Sequence, residues 1–298
     1  MISSEVIKFA RRVLGSVRTI QFDELAAINV MDRLGLLTVV SILRDVAAFG
    51  FSGRNNGGRM ETLKGILTAQ GLCCLVTEQI RPQSNEPLSA AIGNLFEIFD
   101  RLDVESYSRE TAKLLWVFRD LKQEEQIKKA VERQLAVGSL LGYPSCCVAQ
   151  HELAQNNMHR AFAIAIVEAV GKDAGAVERA LRDDLQVDIK GEDPYDQKRM
   201  ARTDELFPFV FHAACDTCLS SDQSPTKELN RDYENLAQQY DRAFHHWYRE
   251  VRKIQVRIEK LVFEAESQGR GPGELEDPLK SQYQTLCEER DSIYSRLS

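Results

Sequence analysis

Four cysteines stand in two close pairs that lie far apart in this sequence: Cys146 and Cys147 in GSLLGYPSCCVAQHE, and Cys215 and Cys218 in HAACDTC. Each pair lies beside turn-forming or helix-starting residues rather than inside an apolar stripe. The C-x2-C spacing of the second pair lets two thiolates bind one metal ion or cluster. If the fold brings the pairs together, four thiolates meet at one point, and this condition restricts the fold strongly.

The composition indicates an ordinary globular protein of one large domain or two smaller ones, with 298 residues, 43% hydrophobic and 28% charged. A net charge of −7 argues against a general nucleic-acid binder. The N-terminus has no apolar region typical of a secretory signal, and no apolar run approaches the roughly 20 residues of a membrane span. We therefore expect a cytoplasmic protein without a membrane partner, in which cysteines serve metal binding or catalysis rather than disulfides.

Apolar residues recur at spacings of three and four over most of the chain, which predicts a mainly α fold of the α+β type with a few short strands. The helical pattern covers 1–50, 60–80, 88–102, 123–137, 144–156 and 159–187. Gly-, Pro- and Asn-rich breaks predict loops at 52–59, 81–87 and 190–198. Short extended segments are expected at 17–22, 113–118 and 207–211.

The last quarter of the chain has a heptad-like seam. Apolar residues alternate in steps of three and four from Tyr233 to Leu261, and again from Leu275 to Leu297 after a QGRGPG turn. This predicts an antiparallel, coiled-coil-like helical hairpin, and hence a mostly helical body over 1–222 and a hairpin over 223–298. The first helix is the longer one, so part of its seam needs another partner: either the body or a second copy, as in a homodimer through these helices.

The first cysteine pair coincides with the start of a predicted helix. Pro144 favours the first helical position, which places Cys146 and Cys147 in the first turn, where the helix dipole lowers thiol pKa values. His151 stands four residues after Cys147, on the same face. His212 precedes Cys215 by three residues.

The choice of metal depends on the adjacency of Cys146 and Cys147. Neighbouring side chains point in different directions, which makes a shared tetrahedral zinc ion awkward, whereas a 4Fe–4S cluster offers more widely spaced corners. We therefore expect an iron–sulfur cluster on Cys146, Cys147, Cys215 and Cys218, with zinc as the alternative and a metal-free thiol site as a third possibility. The remaining cysteines, Cys73, Cys74 and Cys287, fit structural roles.

The sequence resembles a family of functionally uncharacterised prokaryotic proteins that combine a GYP-x-CC-V segment with a downstream F-x-x-H-x-x-C-x-x-C-x-S segment. The matching residues, within about 110–225, are Gly142, Tyr143, Pro144, Cys146, Cys147, Val148, His212, Cys215, Cys218 and Ser220. The resemblance implies that both segments belong to one site. It implies no activity.

These observations favour an iron–sulfur enzyme acting on an unidentified small molecule, with His151 and His212 as candidate acid/base groups. A second hypothesis is a zinc-stapled module whose hairpin binds a protein partner. A third is an enzyme in which Cys146 or Cys147 is the nucleophile. The sequence contains no Walker or dinucleotide-binding motif that would identify a substrate.

Overall fold

A computed structural model describes residues 3–18, 30–51, 56–78, 113–132, 137–171, 173–182, 197–267 and 279–297. Its described residues form a mainly α structure with a three-stranded sheet, which confirms the predicted fold class. The helices are α1 Ser4–Arg18, α2 Val30–Val40, α3 Asn56–Ala69, α4 Lys122–Glu132, α5 Val137–Leu140, α6 Ser145–Val170, α7 Ala174–Arg182, α8 Gln197–Leu206, α9 Asp216–Ser220, α10 Pro225–Tyr240, α11 Arg242–Ser267 and α12 Leu279–Leu297.

The sheet consists of β1 Val46–Phe51, β2 Cys73–Glu78 and β3 Lys113–Phe118 in the order β1-β3-β2. Strands β2 and β3 are antiparallel. Trp116 is fully buried, and its indole N–H donates to the Thr77 hydroxyl across 2.8 Å, so the large ring enters the core without an unsatisfied polar atom. The extended segment expected at 113–118 is confirmed.

Other predicted elements differ from the structure. The helical patterns assigned to 1–50 and 60–80 end earlier, because 46–51 and 73–78 are strands that pair in the sheet. Short apolar runs are ambiguous between helix and strand, and pairing with β3 decides the outcome here. Of the strand expected at 17–22, the first two residues end α1 and the rest lies outside the described residues.

Several predictions fall wholly or partly on undescribed residues. The loop at 81–87 and the helix at 88–102 lie entirely outside the described part of the chain, as does most of the loop at 190–198. The loop expected at 52–59 is described only from Asn56, where α3 begins.

Residues 207–211 do not form the predicted strand. The Phe209 N–H donates to the Asn230 side-chain oxygen across 2.9 Å, and the carbonyl of Pro208 accepts from Arg252 Nε at 3.1 Å. Side chains of α10 and α11 therefore take the hydrogen bonds that a neighbouring strand would have taken.

The long helix predicted from Tyr233 is two helices, divided at Asp241. This residue is extended, with φ −161 and ψ 122, and its carboxylate accepts from the Ala243 N–H at 2.7 Å, so it caps the start of α11. Helices α10 and α11 pack on each other, as do α11 and α12. Most seam residues are buried within the same chain: Leu236, Tyr240, Phe244, Val251, Ile254 and Ile258. The homodimer stays a prediction.

The chain divides into two compact units. One contains 1–47, 69–71 and 198–298, and the other contains 48–68 and 72–197. The predicted division into a body and a hairpin at residue 222 stays a prediction. Within the described part of the chain, no helix combines the length and the apolar character needed to span a membrane.

Candidate metal centre

The two cysteine pairs come together. The Sγ atoms of Cys146, Cys147, Cys215 and Cys218 all lie within 4.8 Å of one another. Cys146 is exposed and the other three are buried. Four convergent thiols are a ligand set that can hold a metal ion, and thiolate sulfur selects soft or borderline metals.

The Gly-Tyr-Pro segment sets the position of the first pair. Gly142 has φ 71, a left-handed conformation that glycine adopts without a Cβ clash. The Tyr143 N–H donates to the Gly138 carbonyl at 3.0 Å and the Gly142 N–H to the Ser139 carbonyl at 3.1 Å. These two bonds form the Schellman motif that ends α5 and turns the chain toward α6.

Helix α6 begins directly after Pro144, which is its N-cap rather than the predicted first helical residue. Cys146 and Cys147 lie in the first turn, as expected. Successive helical side chains diverge by about 100°, so one thiol faces solvent while Cys147, 2% exposed, points inward. His151 follows one turn later on the same helix and is exposed.

The second pair lies at the start of the short helix α9. Cys215 is its extended N-cap, and the Cys215 backbone carbonyl accepts a hydrogen bond from the Leu219 N–H at 2.9 Å. Cys218 lies inside the helix. A hydrogen bond connects α8 to the residue before Cys215: the Ala214 N–H donates to the Thr203 hydroxyl at 2.9 Å. Thr203 is fully buried, so this bond fixes the backbone that carries the thiols.

His212 is buried and lies at hydrogen-bond distance from α10, with Nε2 3.2 Å from the Thr226 hydroxyl. Burial lowers its pKa to about 4, and the positive charge of Arg44 adds to the shift. His212 is therefore neutral at pH 7 and suited to a hydrogen bond. The acid/base roles suggested for His212 and His151 stay predictions.

An ion pair supports the segment between α8 and the second cysteine pair. Asp204 on α8 and Arg252 on α11 are both buried and directly paired. Burial raises the pKa of Asp204 to about 6, and the positive charge of Arg252 opposes that rise. Since Arg252 also binds the carbonyl of Pro208, one side chain joins α8, α11 and the segment leading to His212.

The other cysteines do not belong to the four-thiol group that the described residues form. Cys73 and Cys74 are half-buried in β2, where burial raises the pKa of Cys74 to about 11. Cys287 is half-buried on α12.

Sequence reasoning missed Thr203, Thr226 and Arg44, the residues that hold or influence the second thiol segment. Thr226 had a local signal, because Ser224 and Pro225 mark a helix start and Ser224 does cap α10. Thr203 had none, since its bond to Ala214 depends on how α8 packs.

Searches against protein-family models, characterised proteins and solved structures return no match for this chain. The family resemblance noted from the two cysteine segments thus stays a prediction, and the four-thiol geometry carries the functional argument alone.

Proposed function

We propose that this protein is a metalloprotein in which Cys146, Cys147, Cys215 and Cys218 bind one tetrahedral zinc ion. The observation that carries the proposal is the 4.8 Å limit on the distances between the four Sγ atoms. With zinc–sulfur bonds of about 2.3 Å, a tetrahedron places its sulfurs about 3.8 Å apart, so small rotamer adjustments complete the site.

The expected 4Fe–4S cluster fits this spacing less well. A cubane cluster puts each thiolate on a different iron, so its four sulfurs stand farther apart than sulfurs around one ion. Accepting a cluster requires the buried thiols to move outward. We propose the cluster enzyme as the second candidate. The exposure of Cys146 favours it, because a cluster held by the three buried cysteines alone would leave its fourth iron open to a small molecule at this position.

The zinc proposal implies first a structural role. Four protein ligands close the coordination sphere, and closed tetrathiolate sites contribute folding free energy. The buried framework around Ala214 and His212 supports this, because it holds Cys215 and Cys218 in place before the ion binds.

Anaerobic purification followed by metal and sulfide analysis tests the proposal. We expect a colourless protein with one zinc per chain, and loss of that zinc in the Cys215→Ala variant. Cys287→Ala is the matched control and should retain the metal. A brown protein containing iron and acid-labile sulfide identifies the cluster instead, and a metal-free protein after reconstitution with either metal contradicts both candidates.

A further inference from the structure

The four thiols are not equivalent, because solvent reaches only one of them. Cys147, Cys215 and Cys218 are between 1% and 3% exposed, whereas Cys146 is an exposed residue. We infer that Cys146 is the exchangeable ligand of the metal centre, and that a low-molecular-weight thiol can take its place on the ion as substrate or cofactor. This inference rests on the proposed metal centre.

Solvation explains why exchange favours this position. A sulfur that leaves the ion must find a new environment for its charge or its proton. Cys146 is exposed and a released sulfur there reaches water, whereas a released sulfur of a buried cysteine would remain shielded from water, which is costly for a charged group.

Local rigidity favours the same position. Cys215 follows Ala214, whose N–H is held by buried Thr203, and Cys218 is fixed by the helical turn that starts at Cys215. Cys147 lies in the first turn of α6 and its side chain is buried in the protein. Three ligands are thus buried and held by their surroundings, whereas the fourth, Cys146, lies at the surface.

The exchange is balanced in bonds and protons. The Cys146 sulfur leaves the ion, the sulfur of the incoming thiol takes its place, and the thiol proton passes through water to the released Cys146 thiolate. No electron is transferred. A soft thiol matches the preference of a site built from thiolates, whereas carboxylates and amines compete poorly there.

Cobalt(II) substitution tests the inference, since thiolate-to-cobalt charge-transfer absorbance reports the number of bound sulfurs. We expect Cys146→Ala to bind one Co²⁺ more weakly than the wild type, by no more than about 100-fold, and with reduced absorbance. Adding 2-mercaptoethanol should restore the four-sulfur spectrum. The matched variant Cys147→Ala changes the adjacent buried cysteine. Its affinity for Co²⁺ should fall by more than the roughly 100-fold typical of residues that only support metal ligands. Adding 2-mercaptoethanol should not restore its four-sulfur spectrum.

Iodoacetamide labelling of the zinc-loaded wild type, mapped by mass spectrometry, provides a test that needs no variant. Among the four thiols, Cys146 should react first, with a rate at least about tenfold higher than that of the three buried thiols, because reactivity requires exposure. Equal rates for the four thiols, or a Cys146→Ala spectrum that does not respond to thiol, overturns the inference while leaving the metal centre intact. A wild type that never shows a four-thiolate cobalt spectrum overturns the metal centre itself.

Discussion

The hydroxyl of Thr203 accepts a hydrogen bond from the backbone N–H of Ala214 across 2.9 Å, one residue before Cys215. The same hydroxyl donates to the Arg199 carbonyl at 2.7 Å, so α8 and the thiol-bearing segment share one buried atom.

Replacing Thr203 with valine should therefore loosen the metal centre. The isosteric change leaves the buried Ala214 N–H without its acceptor, at a cost of about 1–3 kcal/mol in unfolding free energy. Zinc affinity should fall by roughly 10–100-fold, as for other residues that support metal ligands. Urea unfolding and chelator competition measure the two effects. Thr285→Val is the matched control, because exposed Thr285 makes only the equivalent bond to the carbonyl four residues earlier. Equal effects in both variants contradict the prediction.

Breaking the buried ion pair should cost more than breaking an exposed one on the same two helices. Arg252→Met leaves Asp204 buried without its cation, and we expect a loss of about 3–5 kcal/mol in unfolding free energy. Lys260 and Glu205 pair at 3.2 Å on the surface of these helices, and Lys260→Met should cost less than about 1 kcal/mol. Chemical denaturation of both variants checks the ranking. Similar losses of unfolding free energy in the two variants would show that burial does not determine how much each ion pair contributes.

His212 should make stability depend on pH below neutrality. Its folded pKa of about 4 lies below the ordinary 6.5, so the unfolded chain binds the proton first as pH falls. The contribution is complete above pH 6.5 and is lost progressively toward pH 4, by up to about 3 kcal/mol. Denaturation across this range should show a shallower slope for His212→Gln than for the wild type. His246→Gln, which removes an exposed imidazole, is the control. If the unfolding free energy of His212→Gln depends on pH as steeply as that of the wild type, His212 is not the source of the pH dependence.

Gly142 should resist substitution. A Cβ at its φ of 71 costs about 1–2 kcal/mol, so Gly142→Ala should lower the unfolding free energy by that amount and weaken zinc binding by displacing the turn before Cys146. Gly65 has open space around it in the middle of α3, and Gly65→Ala should instead stabilise the protein by about 0.5–1 kcal/mol. Thermal unfolding of both variants tests the contrast; two changes of the same sign would refute it.

Ile42 marks a site where glycine should be better than the native residue. It is 61% exposed and has φ 67, unusual for a β-branched side chain. Ile42→Gly should raise the unfolding free energy by about 1 kcal/mol, since relief of the left-handed strain exceeds the extra entropy of glycine in the unfolded chain. Leu43→Gly is the control and should destabilise. Calorimetry measures the unfolding free energy of both variants, and a lower value for Ile42→Gly than for the wild type would contradict the prediction.

The convergence of the cysteines could be predicted because its signals are local. Each pair stands in a short segment beside turn-forming or helix-starting residues, and the C-x2-C spacing of the second pair indicates a metal site. The segment 113–118 was recognisable for a similar reason, as a compact apolar run with aromatic residues. Patterns confined to one short segment of the chain were sufficient in these cases.

Features that depend on one capping residue inside a periodic pattern, on strand pairing or on sulfur–sulfur distances were not predictable. Asp241 interrupts the heptad seam because its side chain caps the next helix, and the apolar periodicity on either side continues as if no break existed. Strands 46–51 and 73–78 follow helical spacing but pair with β3. The sulfur–sulfur distances, on which our proposal of a single ion rests, also depend on the fold and are not determined by adjacency in the sequence.

An ion held by thiols from 146–147 and 215–218 also closes a loop in the chain of about 70 residues. A cross-link of this length removes roughly 4 kcal/mol of conformational entropy from the unfolded chain. The proposed ion would thereby stabilise the native protein by lowering the conformational entropy of the unfolded chain. While the sulfurs stay bound, the two cysteine pairs would remain close together even if the chain between them unfolds, which shortens the conformational search for refolding.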